Sequence, residues 1–220
     1  MAIDYPFIRA TLERFEGKGV PRGYVPTKKG TPLGVSGVTI GTGVDLGQQT
    51  GAGLLDMGVP HAVVKKLLPY IGLKKAAALA AIKAQPLVLT PAEVAAIDDA
   101  VFARYVRDIE ARYNKDKPSA LFADIPHQAQ AVIVSVLYQR GLGSPKNFPQ
   151  TWKLLLAGDW QAAADKLCNG ALWDGYQTRR AAEGQILRGI EPDKTRQNAK
   201  KQEKYTCRFV CKLLGRKPSL

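Results

Sequence analysis

Between Pro126 and Arg140 the chain is apolar around most of a helical circumference, through Ala129, Ala131, Val132, Ile133, Val134, Val136 and Leu137. A helix without a broad polar face is stable only where protein surrounds it. The segment therefore predicts the buried central helix of a helical lobe, which Gly141 and Gly143 bring to an end. With 220 residues, 45% of them apolar, the chain can bury the core such a helix needs as one domain of two lobes.

Helical periodicity dominates the rest, with one interruption. Phe7, Ile8, Leu12 and Phe15 recur at helical spacing and predict a helix over residues 4–16, stopped by Gly17 and Gly19. From Lys18 to Gly47, glycines and prolines punctuate short β-prone pieces around Tyr24-Val25 and Val35–Ile40, which predict a small hairpin sheet. After it come short helices over 52–57, 60–68 and 73–83. Thr90-Pro91-Ala92-Glu93 is a capping box that starts a long helix toward Tyr113, with Val94, Ile97, Val101, Tyr105 and Ile109 as its apolar series. Three more helices are expected over 148–157, 160–167 and 175–190. The expected class is α+β: a small N-terminal β-hairpin lobe with catalytic residues (1–60), a larger helical lobe (61–190) and a basic C-terminal helix (191–220).

Lys and Arg outnumber Asp and Glu by 32 to 19, a net charge of +13 that favours polyanionic surroundings such as nucleic acid, anionic lipid or acidic wall polymers. No nucleic-acid recognition signature accompanies it, so no sequence-specific nucleic-acid partner is expected. Cys168, Cys207 and Cys211 lack the pairing of a secreted scaffold, and no disulfide is expected. Residues 1–20 have no basic start, apolar run and small-residue cleavage site. No apolar stretch reaches the roughly 20 residues of a membrane span. His61 opens a helix with no nearby Cys or second His, and His127 after Pro126 reads as a residue of a first helical turn, so no metal and no cofactor are expected.

Chemistry concentrates around Glu16. It ends the first helix, and the next acidic residue is Asp45, at the close of Val38-Thr39-Ile40-Gly41-Thr42-Gly43-Val44-Asp45. Cleaving a glycosidic bond needs a proton for the leaving oxygen and a water held by a positioned acceptor. Glu16, partly desolvated beside Phe15 and the sheet, is the expected general acid. Thr39 and Asp45 share a parity along the strand, so they face one cleft if Gly41 to Gly43 stays extended, and would hold and activate the water. Gly41 and Gly43 would let backbone approach a sugar closely. Taken singly each residue has a plainer reading: a solvated helix end for Glu16, a β-former for Thr39, a turn or N-cap for Asp45. Tyr24 and Gln139 are candidate sugar contacts against packing roles. Arg180 and Glu183 either line the cleft or pair with each other, and pairing is the favoured reading.

Glu16-Gly17, Thr39-Ile40-Gly41-Thr42-Gly43 and Asp45 together resemble the catalytic segment of phage lysozymes of the T4 type and, more closely, the lysozyme domain of the pesticin family. The T4 type has an aspartate between the glutamate and the threonine; this chain has none. In the pesticin-like branch the set is the acid, the threonine and an aspartate six positions on, which here are Glu16, Thr39 and Asp45. Tyr138-Gln139-Arg140-Gly141-Leu142-Gly143, Ala157-Gly158-Asp159 and Arg179-Arg180-Ala181-Ala182-Glu183-Gly184 resemble motifs of the family's second lobe in the same order.

The resemblance implies a lysozyme-like fold with a cleft between its lobes. It also implies a muramidase that cuts the bond between N-acetylmuramic acid and N-acetylglucosamine in bacterial peptidoglycan, by inversion. The leading expectation is a monomeric phage endolysin, held in the host cytoplasm until holin-type lesions open the way to the periplasm. Its basic C-terminal helix either packs on the larger lobe or contacts anionic envelope components, lipopolysaccharide or membrane surface. A pesticin-like toxin effector and a non-catalytic cationic wall- or nucleic-acid-binding protein are the alternatives.

Overall fold

A computed structural model of the chain describes residues 2–17, 19–169 and 175–191. Its elements run α1 (Tyr5–Glu16), five short strands β1 (Val20–Tyr24), β2 (Thr27–Lys28), β3 (Thr31–Pro32), β4 (Thr39–Gly41) and β5 (Val44–Asp45), then α2 (Gly51–Asp56), α3 (His61–Leu67), α4 (Lys75–Ala84), α5 (Pro91–Lys115), α6 (His127–Arg140), α7 (Pro149–Ala157), α8 (Trp160–Cys168) and α9 (Gln177–Arg188). The fold is α+β, with a small antiparallel strand region near the N-terminus and a helical remainder.

Helix α6 is the buried centre that its composition demanded: every residue from Ala129 to Leu137 is buried. Its one amide in that run, Gln130, is fully used. Gln130 Oε1 accepts from the Asp4 amide at 3.0 Å, and its Nε2 donates to Phe122 O at 3.2 Å and Ile125 O at 3.3 Å. A buried amide with partners on two other segments costs little and fixes their register. It seats the start of α1, where Asp4 also caps the helix by accepting from the Phe7 amide at 3.0 Å. Helix α1 then packs along α6 and buries Ile8 and Leu12 in the same cluster.

Strands β1, β4 and β5 form a three-stranded antiparallel sheet in that order, and β2 and β3 form a separate hairpin. The β-prone run from Val35 to Ile40 is a strand only from Thr39 on. Gly34 has φ +53, the Ser36 amide turns back to Leu33 O at 3.1 Å, and Val35 is exposed instead of paired.

The apolar interior divides into two clusters, and α5 belongs to both. Val94, Ile97 and Val101 enter the cluster made with the sheet and α2 to α4; Phe102, Val106, Ile109 and Tyr113 enter the cluster around α6. The capping box opens α5 as its sequence predicts, with the Glu93 amide donating to Thr90 Oγ1 at 3.3 Å and the Thr90 amide to Glu93 Oε2 at 3.0 Å. The expected single stripe does not run its whole length. Tyr105 is exposed and stacks beside Tyr138, with ring centroids 4.9 Å apart, because the buried face rotates where α5 passes from one core to the other. Helix α1, which carries Glu16, packs with the large helical lobe, while the small lobe extends from the sheet into the first turns of α5.

No helix among the described residues is long and apolar enough to cross a membrane. The basic C-terminal helix expected over 191–220, with Cys207 and Cys211, lies outside the described residues apart from Glu191.

Candidate active site

Glu16 is the last residue of α1, and Gly17 at φ +80 turns the chain away toward the sheet, so the side chain stands at the end of a rigid rod. Its Oε1 accepts from Arg179 Nη1 at 2.6 Å. The side chain keeps 29% of its exposure. A guanidinium thus stands at one oxygen of a carboxylate that was expected to be partly desolvated.

Arg179 is held from every side. Its Nη2 donates to Ser135 O at 3.2 Å and Ser135 Oγ at 3.0 Å, its Nε faces Glu183 Oε1 at 3.3 Å, and its guanidinium lies 4.8 Å from the centre of the Phe15 ring. A planar cation with this many fixed contacts positions its partner better than a flexible ammonium would. Behind it, Ser135 Oγ donates to Glu183 Oε1 at 2.5 Å, and Arg180 Nη1 stands 2.9 Å from Glu183 Oε2. Glu183 and Arg180 are both wholly buried. Burial pushes the Glu183 carboxyl up, against the pull of Arg180, Ser135 and Arg179. Burial likewise brings Arg180 down to about 10, with Glu183 opposing. Arg180 is therefore the pairing residue of its two sequence readings. Its Nη2 also donates to Gln139 Oε1 at 2.6 Å.

Two recesses meet at Glu16. One is an open cleft lined by Arg14, Phe15, Gln139, Tyr176, Thr178 and Arg179 along with Glu16. The other, on the side of the sheet, is lined by Glu16 with Arg9, Glu13, Thr42, Asp98 and Tyr138 over an apolar floor of Leu12, Val101 and Phe102. Burial pushes the Tyr138 phenol up to about 12, and the charges of Glu16 and Asp98 add to it.

Tyr24, Thr39 and Asp45 line up across the sheet. Thr39 is the register partner of Tyr24 on β1 and of Asp45 on β5, and paired residues of an antiparallel sheet project to one face. The segment between Thr39 and Asp45 does not stay extended, as the parity argument required. It reverses through Gly41 at φ +61 and Gly43 at φ +103, and the shared face comes from pairing across the hairpin. Thr39 is 5% exposed and Tyr24 45%. Asp45 Oδ1 accepts from the Gly47 amide at 2.8 Å and the Gly37 amide at 3.0 Å, which is the cap and turn reading of this residue. Thr39 and Asp45 line neither of the two recesses at Glu16; the polar residues of the hairpin and α5 that line the sheet-side one are Thr42 and Asp98.

Gly41 has a different use from the one expected. A Cβ there would collide with the Asp98 carboxylate, so the glycine makes room for a protein side chain, whereas exposed Gly43 faces open space. The sequence reading missed Asp98 and Arg179. Asp98 had left a signal: it stands four after Val94 and three before Val101, a carboxylate inside an apolar stripe. Arg179 was hidden by its neighbour, since either arginine of the pair can reach Glu183 at helical spacing.

A family model described as "Pesticin: Bacterial toxin homologue of phage lysozyme, C-term" matches residues 2–161. That span holds Glu16, Thr39, Asp45, Asp98 and Gln139, and it ends before Arg179. No curated protein matches the chain.

Proposed function

Because this chain belongs to the pesticin family of phage-lysozyme homologues, we propose that it is a muramidase that hydrolyses the β-1,4 bond between N-acetylmuramic acid and N-acetylglucosamine in peptidoglycan. One observation carries the reading. A glutamate closing a helix of the large lobe stands where two recesses meet, and the Thr39–Asp45 cross-strand pair follows on the small sheet at the spacing that the resemblance implies.

Glu16 donates the proton to the leaving oxygen from Oε2, while Arg179 holds Oε1. Asp45, with one oxygen committed to backbone amides, orients the attacking water with Thr39 through the other. Delivery of water to the face opposite the leaving group inverts the anomeric centre. Tyr24, Gly43 and Gln139 border the path of the glycan, and Arg180 acts through Gln139.

The use we favour is that of a phage endolysin. A toxin effector would share the chemistry and differ in delivery, so killing of intact cells from outside is the readout that separates the two. The enzyme assignment is tested by mass spectrometry of digested peptidoglycan. Reducing muramic-acid ends are expected. Anhydro ends would make the protein a lytic transglycosylase, and cut peptides would make it an amidase or peptidase. Proton magnetic resonance of the first product anomer tests inversion.

A further inference from the structure

Asp98 is the carboxylate that the mechanism above does not use, and it sits where three segments of the chain converge. It projects from α5 at the level where that helix leaves the small-lobe core and enters the large one, three residues before Val101. Its Oδ1 accepts from the Thr42 amide at 3.0 Å, and the Thr42 side chain adds a second hydrogen bond. Two glycines press against it. A Cβ at Gly19 would come within 2.5 Å of Oδ2, and one at Gly41 would collide with Oδ1. Gly19 follows Glu16 by three residues, Gly41 ends β4, and Thr42 opens the turn to β5. With 8% exposure the carboxylate is nearly enclosed, yet it lines the same recess as Glu16.

An acid in so costly a place, within an apolar stripe, needs a compensating contact, and the turn amide supplies it. The β4–β5 hairpin carries Thr39 and Asp45; α1 carries Glu16. These groups belong to different lobes, and the Asp98 contact ties the hairpin directly to the helix that both lobes share.

We propose that Asp98 is a positioning residue for the glycosidase reaction, its carboxylate locking the β4–β5 turn to α5 and so setting the reach between Glu16 and the Thr39–Asp45 pair. This rests on the muramidase reading. The lock works by length and hydrogen bonding, not by charge: an amide of the same size can accept from Thr42 as well as a carboxylate can, whereas a longer acid cannot fit between Gly19 and Gly41. A displacement of about 1 Å at a catalytic group is enough to cost about a hundredfold in rate.

The test compares Asp98→Asn with Asp98→Glu, measuring kcat and KM for muropeptide release from purified Gram-negative sacculi, and Thr42 amide exchange by magnetic resonance. Asp98→Asn should keep Thr42 protected and keep kcat within about threefold of wild type. Asp98→Glu should lose that protection and lower kcat about tenfold or more, with KM little changed. If Asp98→Glu does not fold, Gly41→Ala replaces it, because it forces the same contact apart from the turn side. Wild-type kcat in both variants overturns the proposal. So does an inactive Asp98→Asn beside an active Asp98→Glu, which makes the charge the working feature, and so does inactivity in both with Thr42 still protected, which makes Asp98 a substrate contact. A wild-type protein that releases no muropeptides sinks the muramidase reading instead, while Thr42 exchange still reads the lock without any substrate.

Discussion

Arg179 Nη1 lies 2.6 Å from Glu16 Oε1, joining residues 163 positions apart in the chain. The contact sets the orientation of a carboxylate that would otherwise swing at a helix end, and it does so with a guanidinium already fixed by Ser135, Glu183 and the Phe15 ring. Replacing Arg179 with alanine is expected to lower kcat on sacculi at least tenfold, the loss of one positioned contact. An alanine variant with wild-type kcat would show that Glu16 needs no orienting partner.

Glu16→Gln keeps the shape of the side chain and removes its proton. Clearing of permeabilised Gram-negative cells should fall by about 10²- to 10⁴-fold with the thermal midpoint nearly unchanged. Turbidity loss at the wild-type rate would remove Glu16 from the mechanism.

At Asp45 the amide and alanine substitutions separate two roles. Asp45→Asn retains an oxygen for the Gly37 and Gly47 amides and should melt close to wild type, yet lose most of its activity as the water loses its acceptor. Asp45→Ala should also lose about 1 kcal/mol or more of stability as the two amides lose their partner. Full activity in Asp45→Asn would leave this residue only its capping role.

Glu183→Ala strips the buried arginine of its counter-charge and both Ser135 and Arg179 of an acceptor. Removing one member of a buried ionic group typically costs about 3–5 kcal/mol, so urea denaturation should show one of the largest losses of any single substitution here. A loss below about 1 kcal/mol would mean that water replaces the carboxylate at little cost.

Burial pushes the Asp98 carboxyl above its ordinary value of 3.8, against the hydrogen bonds from Thr42 and the charge of Arg9. The folded chain therefore keeps that proton to a higher pH than the unfolded chain does. The associated stability is complete below the ordinary value and is lost as pH rises through the raised one. The amide variant has no such titration. Subtracting the wild-type urea stability from that of Asp98→Asn should give a difference that grows in the variant's favour as pH rises above the ordinary carboxyl value of 3.8. A difference that is flat or shrinks would contradict the direction of the shift.

The helices were legible because each has a local cause. Gly17 stops α1, the Thr90–Glu93 box opens α5, and the all-round apolar run makes α6. Contacts between distant segments were not. Periodicity identified the apolar stripe of α5 but could not show that two cores share it, so Tyr105 was assigned to a buried face it leaves. Glu16, Thr39 and Asp45 were nominated by spacing and resemblance, and of the three only Glu16 lines the two recesses described. Asp98 and Arg179 were not nominated, because each acts on a residue dozens of positions away or more, a relation that the three-dimensional path alone creates.

Helix α1 rests on α6, and the guanidinium at its tip comes from α9. During synthesis, then, the ribosome delivers Glu16, Thr39 and Asp45 early, but the surface that seats the glutamate follows only after more than a hundred further residues. A nascent chain interrupted anywhere between Asp45 and α9 carries all three of these side chains and lacks the Arg179 contact at Glu16. Two fragments split between α8 and α9 should regain it only on reassociation, so the far end of the polypeptide acts as a timer on the near one.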